Sequence, residues 1–409
     1  MSTGPESDGG PDSDVPLTEC PVCKVDVPAG EFCGLCGLPL AEHRRSDGPG
    51  WLRLRAFGAA PGEHLLKPSI ASSLFPRLPA HSRAPFRVAL LVVVVALVAF
   101  AALGMPAALI SVAALGLPLL FMLYLYETDA HLDIPISILV LTALLGIGLG
   151  VCWVLLTGAV VARSYGVPLG TGVAGFRMLK DGLGVPLGSA ILALLPAVII
   201  RWTSPTSRES MDGFMIGTLG ALAFTAAATL TRLAPQFALG MVNRSRPMTG
   251  LLVEAGIRGI AMPLTAAAAG GLVGAALWFT RPASKSDQHP GVVRAVLALF
   301  GVGVLLVYAV LGLIDVARMP QVLQLVCHLA VAALALLALR IGVHLALLHE
   351  AHDEIQSDQP ILCPECGHIV PDMAFCPACG AATHASSRAS RKLRREARPV
   401  RTESDGATE

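Results

Sequence analysis

A chain of 409 residues that is 54% hydrophobic and only 14% charged, with a mean hydropathy of +0.66, falls outside the ordinary soluble class. Its net charge of +1 marks no acidic or basic partner, because acids crowd the first twenty residues and bases crowd the last stretch. Arginine outnumbers lysine 25 to 5, a compositional trait of GC-rich bacteria.

Residues 1–18, rich in Gly, Ser, Pro and Asp, lack the apolar content to fold and are expected to be disordered. The segment 19–40 then carries Cys20-x2-Cys23-x9-Cys33-x2-Cys36. Thiolates two residues apart chelate from one tight turn, and two such turns complete the S4 shell of a closed zinc site. Residues 41–85, with Trp51, Leu52, Leu65 and Leu66 in Pro- and Gly-rich text, read as a linker along the membrane surface.

Between about 86 and 348 the apolar stretches repeatedly reach the roughly 20 residues that cross about 30 Å of hydrocarbon. Eight spans are expected, at 86–104, 106–126, 136–160, 185–201, 213–233, 259–279, 292–314 and 321–347. Only Gly104-Met105-Pro106 separates the first two, which predicts a tight helical hairpin. The segment 185–201 is short and carries Pro186 and Pro196, so its span is the least marked. No signal peptide precedes the first span, which is expected to direct insertion. Residues 360–382 repeat the cysteine pattern as Cys363-x2-Cys366-x9-Cys376-x2-Cys379, and a basic tail expected to be disordered fills 383–409. The fold class is therefore an all-α polytopic membrane protein with two small zinc ribbons at its ends.

The ribbons share flanking text, Val27-Pro28-x3-Phe32 against Val370-Pro371-x3-Phe375, each with a Gly after its last cysteine (Gly37, Gly380), so they read as a duplication. Four thiolates leave no open coordination position, which points to two structural Zn2+ ions rather than catalysis. Rubredoxin-like iron and disulfides are the alternatives; zinc thiolates imply a reducing cytoplasm. Only Lys24, Phe32 and Phe375 interleave the cysteines as basic or aromatic residues, which argues against nucleic acid and for a protein partner. The stretch 388–401 holds seven basic residues in fourteen, suited to anionic lipid at up to about 1 kcal/mol each, or to a solvated positive-inside tail.

Arg77, Arg83 and Arg87 precede the first span, no base follows it before the second, and an even count returns the chain, so both termini are expected in the cytoplasm. The interior loops run against this: Arg163, Arg177, Lys180, Arg232, Arg244, Arg246, Arg258 and Arg318 fall outside, against Arg201, Arg208, Arg281, Lys285 and Arg294 inside. Away from the basic residues at the span ends, the ionisable residues are Asp315 near the end of the seventh span and His328, Arg340 and His344 in the eighth. Arg340 and His344 share a face at i and i+4, with Asp315 as a candidate counter-ion from a neighbouring helix. Gly146-Ile-Gly148-Leu-Gly150 and the small residues from Ala266 to Gly274 read as close helix packing.

Leu123-Tyr-Leu-Tyr-Glu127-x-Asp129 and Asp212-Gly213-x3-Gly217-x2-Gly220-x3-Phe224 lie in a core that resembles the PrsW-type intramembrane metalloprotease family over about residues 115–347. That resemblance implies a zinc held by a Glu pair, a later Glu and His residues on later spans. Carried over, those positions fall on Gly188 and Ser189, Ala228, Thr265 and Leu311, with Asp315 the one acid kept. Three ligands and an open position are what metal hydrolysis requires. The expected role is thus non-catalytic: a membrane protein that engages another protein through its ribbons or its former substrate groove. An active peptidase would need Glu127, His131 or Glu254 to meet His328 or His344. A permease would need inverted repeats around a midplane site.

Overall fold

The computed structural model describes residues 16–40, 56–67, 69–76, 83–164, 180–203, 209–239, 248–279, 290–316, 319–350 and 356–397. Eight helices in it are long and apolar enough to cross a membrane: span 1, Ala84–Ala102; span 2, Ala107–Glu127; span 3, Ile136–Ala159; span 4, Gly182–Thr203; span 5, Ser210–Pro235; span 6, Leu252–Trp278; span 7, Gly291–Asp315; and span 8, Gln321–His349. The chain is a multi-pass membrane protein.

The hairpin between spans 1 and 2 turns on Gly104, whose φ of 65° suits glycine and few other residues. Met105 N–H donates to the Phe100 carbonyl at 3.0 Å, the six-to-one bond of a Schellman stop, and Pro106 then opens the next helix. Span 4 is longer than its sequence pattern indicated, because a π-helical turn at Lys180–Gly184 leads into the α-helix Val185–Thr203. Pro186 follows directly on that π-helical turn, and Pro196 lies mid-helix.

Span 5 is the centre of the bundle, with 89% of its most apolar window buried against 6% for span 1. It is also the least hydropathic span, at 1.6 against 2.5. The inversion has a cause: lipid tails are as apolar as leucine, so a helix gains its central place by presenting small residues rather than greasy ones. Gly213 and Gly217 meet Gly274 and Gly270 of the antiparallel span 6 so closely that a Cβ on any of the four would collide with a facing carbonyl. Gly220 faces Pro196 of span 4, and Gly146 and Gly150 of span 3 receive the backbone around Gly220 and Phe224. The glycine spacing at 213, 217 and 220 is thus occupied in helix packing.

At one end of the bundle the ribbons form antiparallel hairpins: β1 (Leu17–Glu19) with β2 (Asp26–Pro28), and β5 (Gln356–Leu362) with β6 (Ile369–Asp372). The stretch expected to be a bare linker contains a further hairpin, β3 (Ala56–Phe57) with β4 (Ala60–His64), and a short helix at Ile70–Leu74. Phe75 anchors it by packing edge-on against Phe86 and Tyr124 and tilted against Phe121, and the Tyr124 hydroxyl donates to the Pro76 carbonyl at 2.9 Å. Leu65 is buried and Leu66 exposed; Trp51 and Leu52 lie outside the described residues, as do residues 1–15 of the stretch expected to be disordered.

A second correction concerns the basic tail. Residues Arg388–Glu396 are a helix, capped by the Ser387 side chain accepting from Ser390 N–H, and docked on the bundle. The expectation of disorder across 383–409 failed because it weighed composition alone, and the carboxylates that order this helix lie far away in sequence; residues 398–409 lie outside the described set.

The glycine crossing yields a test. Gly217→Ala should lower the melting temperature of the detergent-purified chain, with an overpacking cost of about 1–3 kcal/mol. Gly148→Ala, at a position with open space around it, should leave melting unchanged or raise it slightly.

Candidate metal centres and the head they build

In each ribbon four cysteine sulfurs converge, Cys20, Cys23, Cys33 and Cys36 in one and Cys363, Cys366, Cys376 and Cys379 in the other, all within 4.8 Å of one another. A tetrahedral site with metal–sulfur bonds of about 2.3 Å has sulfur–sulfur edges of about 3.8 Å. The separations Cys20–Cys36, Cys363–Cys379 and Cys366–Cys376 are 3.7, 3.8 and 3.9 Å, so both clusters fit a metal ion. Hydrogen bonding between Cys23 and Cys33 lowers the Cys33 thiol and raises the Cys23 thiol, so without a metal the two share one proton. The knuckle turns need left-handed backbone: Gly37, Gly367 and Gly380 supply it in three of the four, and Lys24 adopts it at a φ of 56° in the remaining one. Outside the two ribbons, no three His, Cys, Asp or Glu side chains among the described residues gather in this way.

The two ribbons also close on each other, and they do so symmetrically. Phe32 N–H donates to the Pro377 carbonyl at 2.9 Å, and Phe375 N–H donates to the Gly34 carbonyl at 2.8 Å. These are equivalent residues in the two copies. Each phenyl ring covers the other ribbon's knuckle glycine, Phe375 over Gly37 and Phe32 over Gly380, and Gly30 and Gly34 abut Pro377 and Met373. A duplicated motif has produced an isologous interface inside one chain, the arrangement a twofold dimer would have.

Ribbon 2 is fastened to the membrane core by two clasps. In the first, Gly58 at the tip of the β3–β4 hairpin is bonded on both sides: its N–H donates to His344 Nδ1 at 3.2 Å and its carbonyl accepts from Ala382 N–H at 2.8 Å. Arg340, one turn back on span 8 and fully buried, donates to Glu63 Oε2 at 3.0 Å, the His64 carbonyl at 3.2 Å and Ser72 Oγ at 2.5 Å, and its guanidinium lies 4.3 Å over the Phe57 ring. The i, i+4 pair read from the sequence therefore grips the linker. Asp315 is not its counter-ion; it pairs with His328 at 3.0 Å, at the far end of span 8.

The second clasp is the terminal helix. Asp133 accepts the N–H groups of Arg388 and Ala389 at the helix N-terminus, where a negative charge is favoured. Glu209 accepts from Arg391 at 2.6 Å and Arg388 at 3.2 Å, while Arg395 makes a two-pronged contact with Asp372 of β6 at 2.8 and 3.3 Å. Three bases assigned to lipid by composition thus face protein carboxylates; Lys392 remains outward, 78% exposed. Burial opposes ionisation of Glu209, but Arg391, His384 and Arg388 outweigh it and hold the carboxyl below its usual range. Beside it, Glu350 accepts from Ser210 N–H at 2.8 Å and from Ser210 Oγ at 3.1 Å. Burial, then the neighbouring Glu209 and Asp212, push its pKa up to about 8 against the Ser210 bonds.

The positions designated by the family resemblance come together only in part. Ser189 and Thr265 border one cavity of about 20 Å³, room for about one water molecule, with Phe224 and Tyr308 in its wall. Gly188 abuts Trp153, Ala228 faces Gly150 of span 3, and Asp315 lines a different cavity. Glu127 and His131 lie toward the ribbon end of the bundle with His344, and Glu254 toward the opposite end with His328, but among the described residues no three of these donors gather into a metal-capable group. Sequence reasoning missed Gly58, Glu63, Asp133, Glu209 and Asp372; the duplicated flanks of the ribbons were the one local signal of a paired head. No protein-family model, curated protein or solved structure matches this chain.

Elemental analysis should find two metal ions per chain. Cys33→Ser should remove one and leave core melting nearly unchanged, because the first ribbon keeps its own small apolar cluster. Cys376→Ser should remove one and also lower core melting, since Phe375 and Ala382 belong to the same buried cluster as spans 5, 6 and 8.

The raised pKa of Glu350 fixes a pH dependence. Its stabilising share is full below about pH 4.5 and is lost as pH rises through about 8, because only the folded state keeps the proton in that window. Glu350→Gln should melt like the parent at pH 4.5 and higher than the parent at pH 8.5.

Proposed function

We propose that this chain is a non-catalytic relative of the PrsW-type intramembrane metalloproteases, whose zinc-stabilised head serves as a protein-interaction or regulatory module on the cytoplasmic face. The observation that carries the reading is the double clasp. A partner that grips the head acts directly on Arg340 and His344 of span 8 and on Glu209 at the start of span 5, so engagement there is coupled to the packed centre of the bundle.

The non-catalytic part rests on ligand chemistry. Gly188, Ser189, Ala228, Thr265 and Leu311 carry neither imidazole nor carboxylate, and Ser189 and Thr265 border a cavity with room for about one water molecule. The assignment of zinc rests on the S4 donor set, which suits a closed tetrahedral ion without redox chemistry. Placement of the head in the cytoplasm rests on thiolate chemistry and on Arg77, Arg83 and Arg87 ahead of span 1.

Three measurements test this. Reporter fusions before residue 16 and after residue 397 should both give cytoplasmic signals. The full chain in proteoliposomes should leave a transmembrane substrate intact; chelator-sensitive cleavage that survives Cys33→Ser would overturn the reading, since that metal would lie outside the first ribbon. Affinity capture from native membranes should recover a partner that Phe32→Ala, which opens the ribbon pair, fails to retain.

A further inference from the structure

At the end of the bundle opposite the ribbons the spans frame an open cleft of about 440 Å³, within the size range of small-molecule sites. It lies where span 5 ends, span 6 begins, span 7 ends and span 8 begins. Its polar wall holds Arg232, Glu254, Arg258, Asp315, Gln321 and Gln324. Charged side chains at span ends cost less than at the midplane, but four of them, Arg232, Glu254, Arg258 and Asp315, converge on this one cleft.

The charges are unevenly satisfied. Glu254 is answered by Arg258 at 3.4 Å, and Asp315 by His328 at 3.0 Å. Arg232 has no carboxylate partner among the described residues, yet it faces the same space. A second observation points the same way: span 6 is interrupted here by a π-helical turn, Gly256–Ala261, which carries Arg258. Such turns recur at functional sites because they re-aim a side chain at the cost of regular hydrogen bonding. The remaining wall is apolar, from Val253, Ile257 and Met262.

We propose that this cleft binds a phosphate oxyanion, with Arg232 as its anchoring cation and Arg258, Gln321 and Gln324 as further donors. Guanidinium groups present forked N–H donors matched to phosphate oxygens, and the glutamine amides add neutral donors without adding charge. The apolar wall and the position near the span ends suit a phosphate carried on a lipid; a free phosphate presents the same oxygens. The site lies across the bundle from the head and stands independently of the function proposed for it.

The test uses the full chain purified in detergent. Native mass spectrometry with added phosphatidylglycerol and diacylglycerol, which share tails and differ in phosphate, should show one phosphatidylglycerol retained per chain in preference to diacylglycerol. Arg232→Gln should weaken that retention about tenfold, Arg232→Lys should keep most of it, and Lys392→Ala on the other face should leave it unchanged. Calorimetry with inorganic phosphate separates the sources: Arg232-dependent binding of phosphate assigns a free anion, and its absence beside Arg232-dependent lipid retention assigns a headgroup. Two metal ions per chain and parental melting certify that the Arg232→Gln chain is folded. If it is not, Gln324→Leu, which removes one neutral donor from the same wall, should weaken retention about threefold. Equal retention of both lipids, or retention and phosphate binding indifferent to Arg232 and Gln324, would overturn the proposal.

Discussion

The contact on which the rest of the molecule depends is the crossing of spans 5 and 6 at Gly213, Gly217, Gly270 and Gly274, where backbone meets backbone with no side chain between. In a lipid solvent there is no hydrophobic force to drive two helices together, so dispersion at close range has to do it, and only glycine permits that range. Once span 5 is seated against span 6, its other faces receive spans 3 and 4 through Gly146, Gly150 and Pro196. The start of span 5 is then fixed in space, and with it Ser210 and Glu209. Those two residues hold Glu350 and the terminal helix, so the position of the head is inherited from a packing event in the membrane interior.

The head answers with polar chemistry of a different kind. Arg340 is fully buried, and a buried guanidinium is tolerable only when most of its donors are matched and its face is covered; Glu63, Ser72 and the His64 carbonyl take its terminal nitrogens and the Phe57 ring covers its face, while Nε alone is left without a partner. The arginine is thus a constraint on the linker as much as a bond to it. Removing Glu63 would leave a charge in a dry site, which is why such a pair specifies one arrangement of the hairpin more sharply than it adds net stability.

What was legible in the sequence follows from the range of the forces involved. The eight spans could be read because a bilayer imposes a contiguous apolar length, and the eight metal-capable cysteines because chelation imposes a local spacing. The small-residue runs at 146–150 and 266–274 were legible as packing for the same reason. The clasps were not, since Gly58 meets His344 across 286 residues and Arg340 meets Glu63 across 277. Nor was the terminal helix, whose order comes from Asp133 and Glu209, 256 and 182 residues from the groups they hold. Charged composition predicted a solvated tail because it counts charges without their partners. Asp315 was assigned the wrong partner because helical spacing places Arg340 and His344 together but says nothing about which end of the bundle they occupy.

The symmetric closure of the two ribbons has a consequence for synthesis. Equivalent cysteines are 343 positions apart (Cys20 to Cys363), and all eight spans are translated between them. At about 5–20 residues per second, the first ribbon waits about 20 to 70 seconds for its counterpart. Through that interval Gly37 lacks the Phe375 ring that will cover it, and Phe32 lacks its hydrogen-bond acceptor on Pro377. The ribbons can meet only when an even number of spans has been threaded, because a single missed crossing would strand them on opposite sides of the bilayer. Closure of the pair is therefore a parity check on insertion, made by a segment that emerges only after all eight spans.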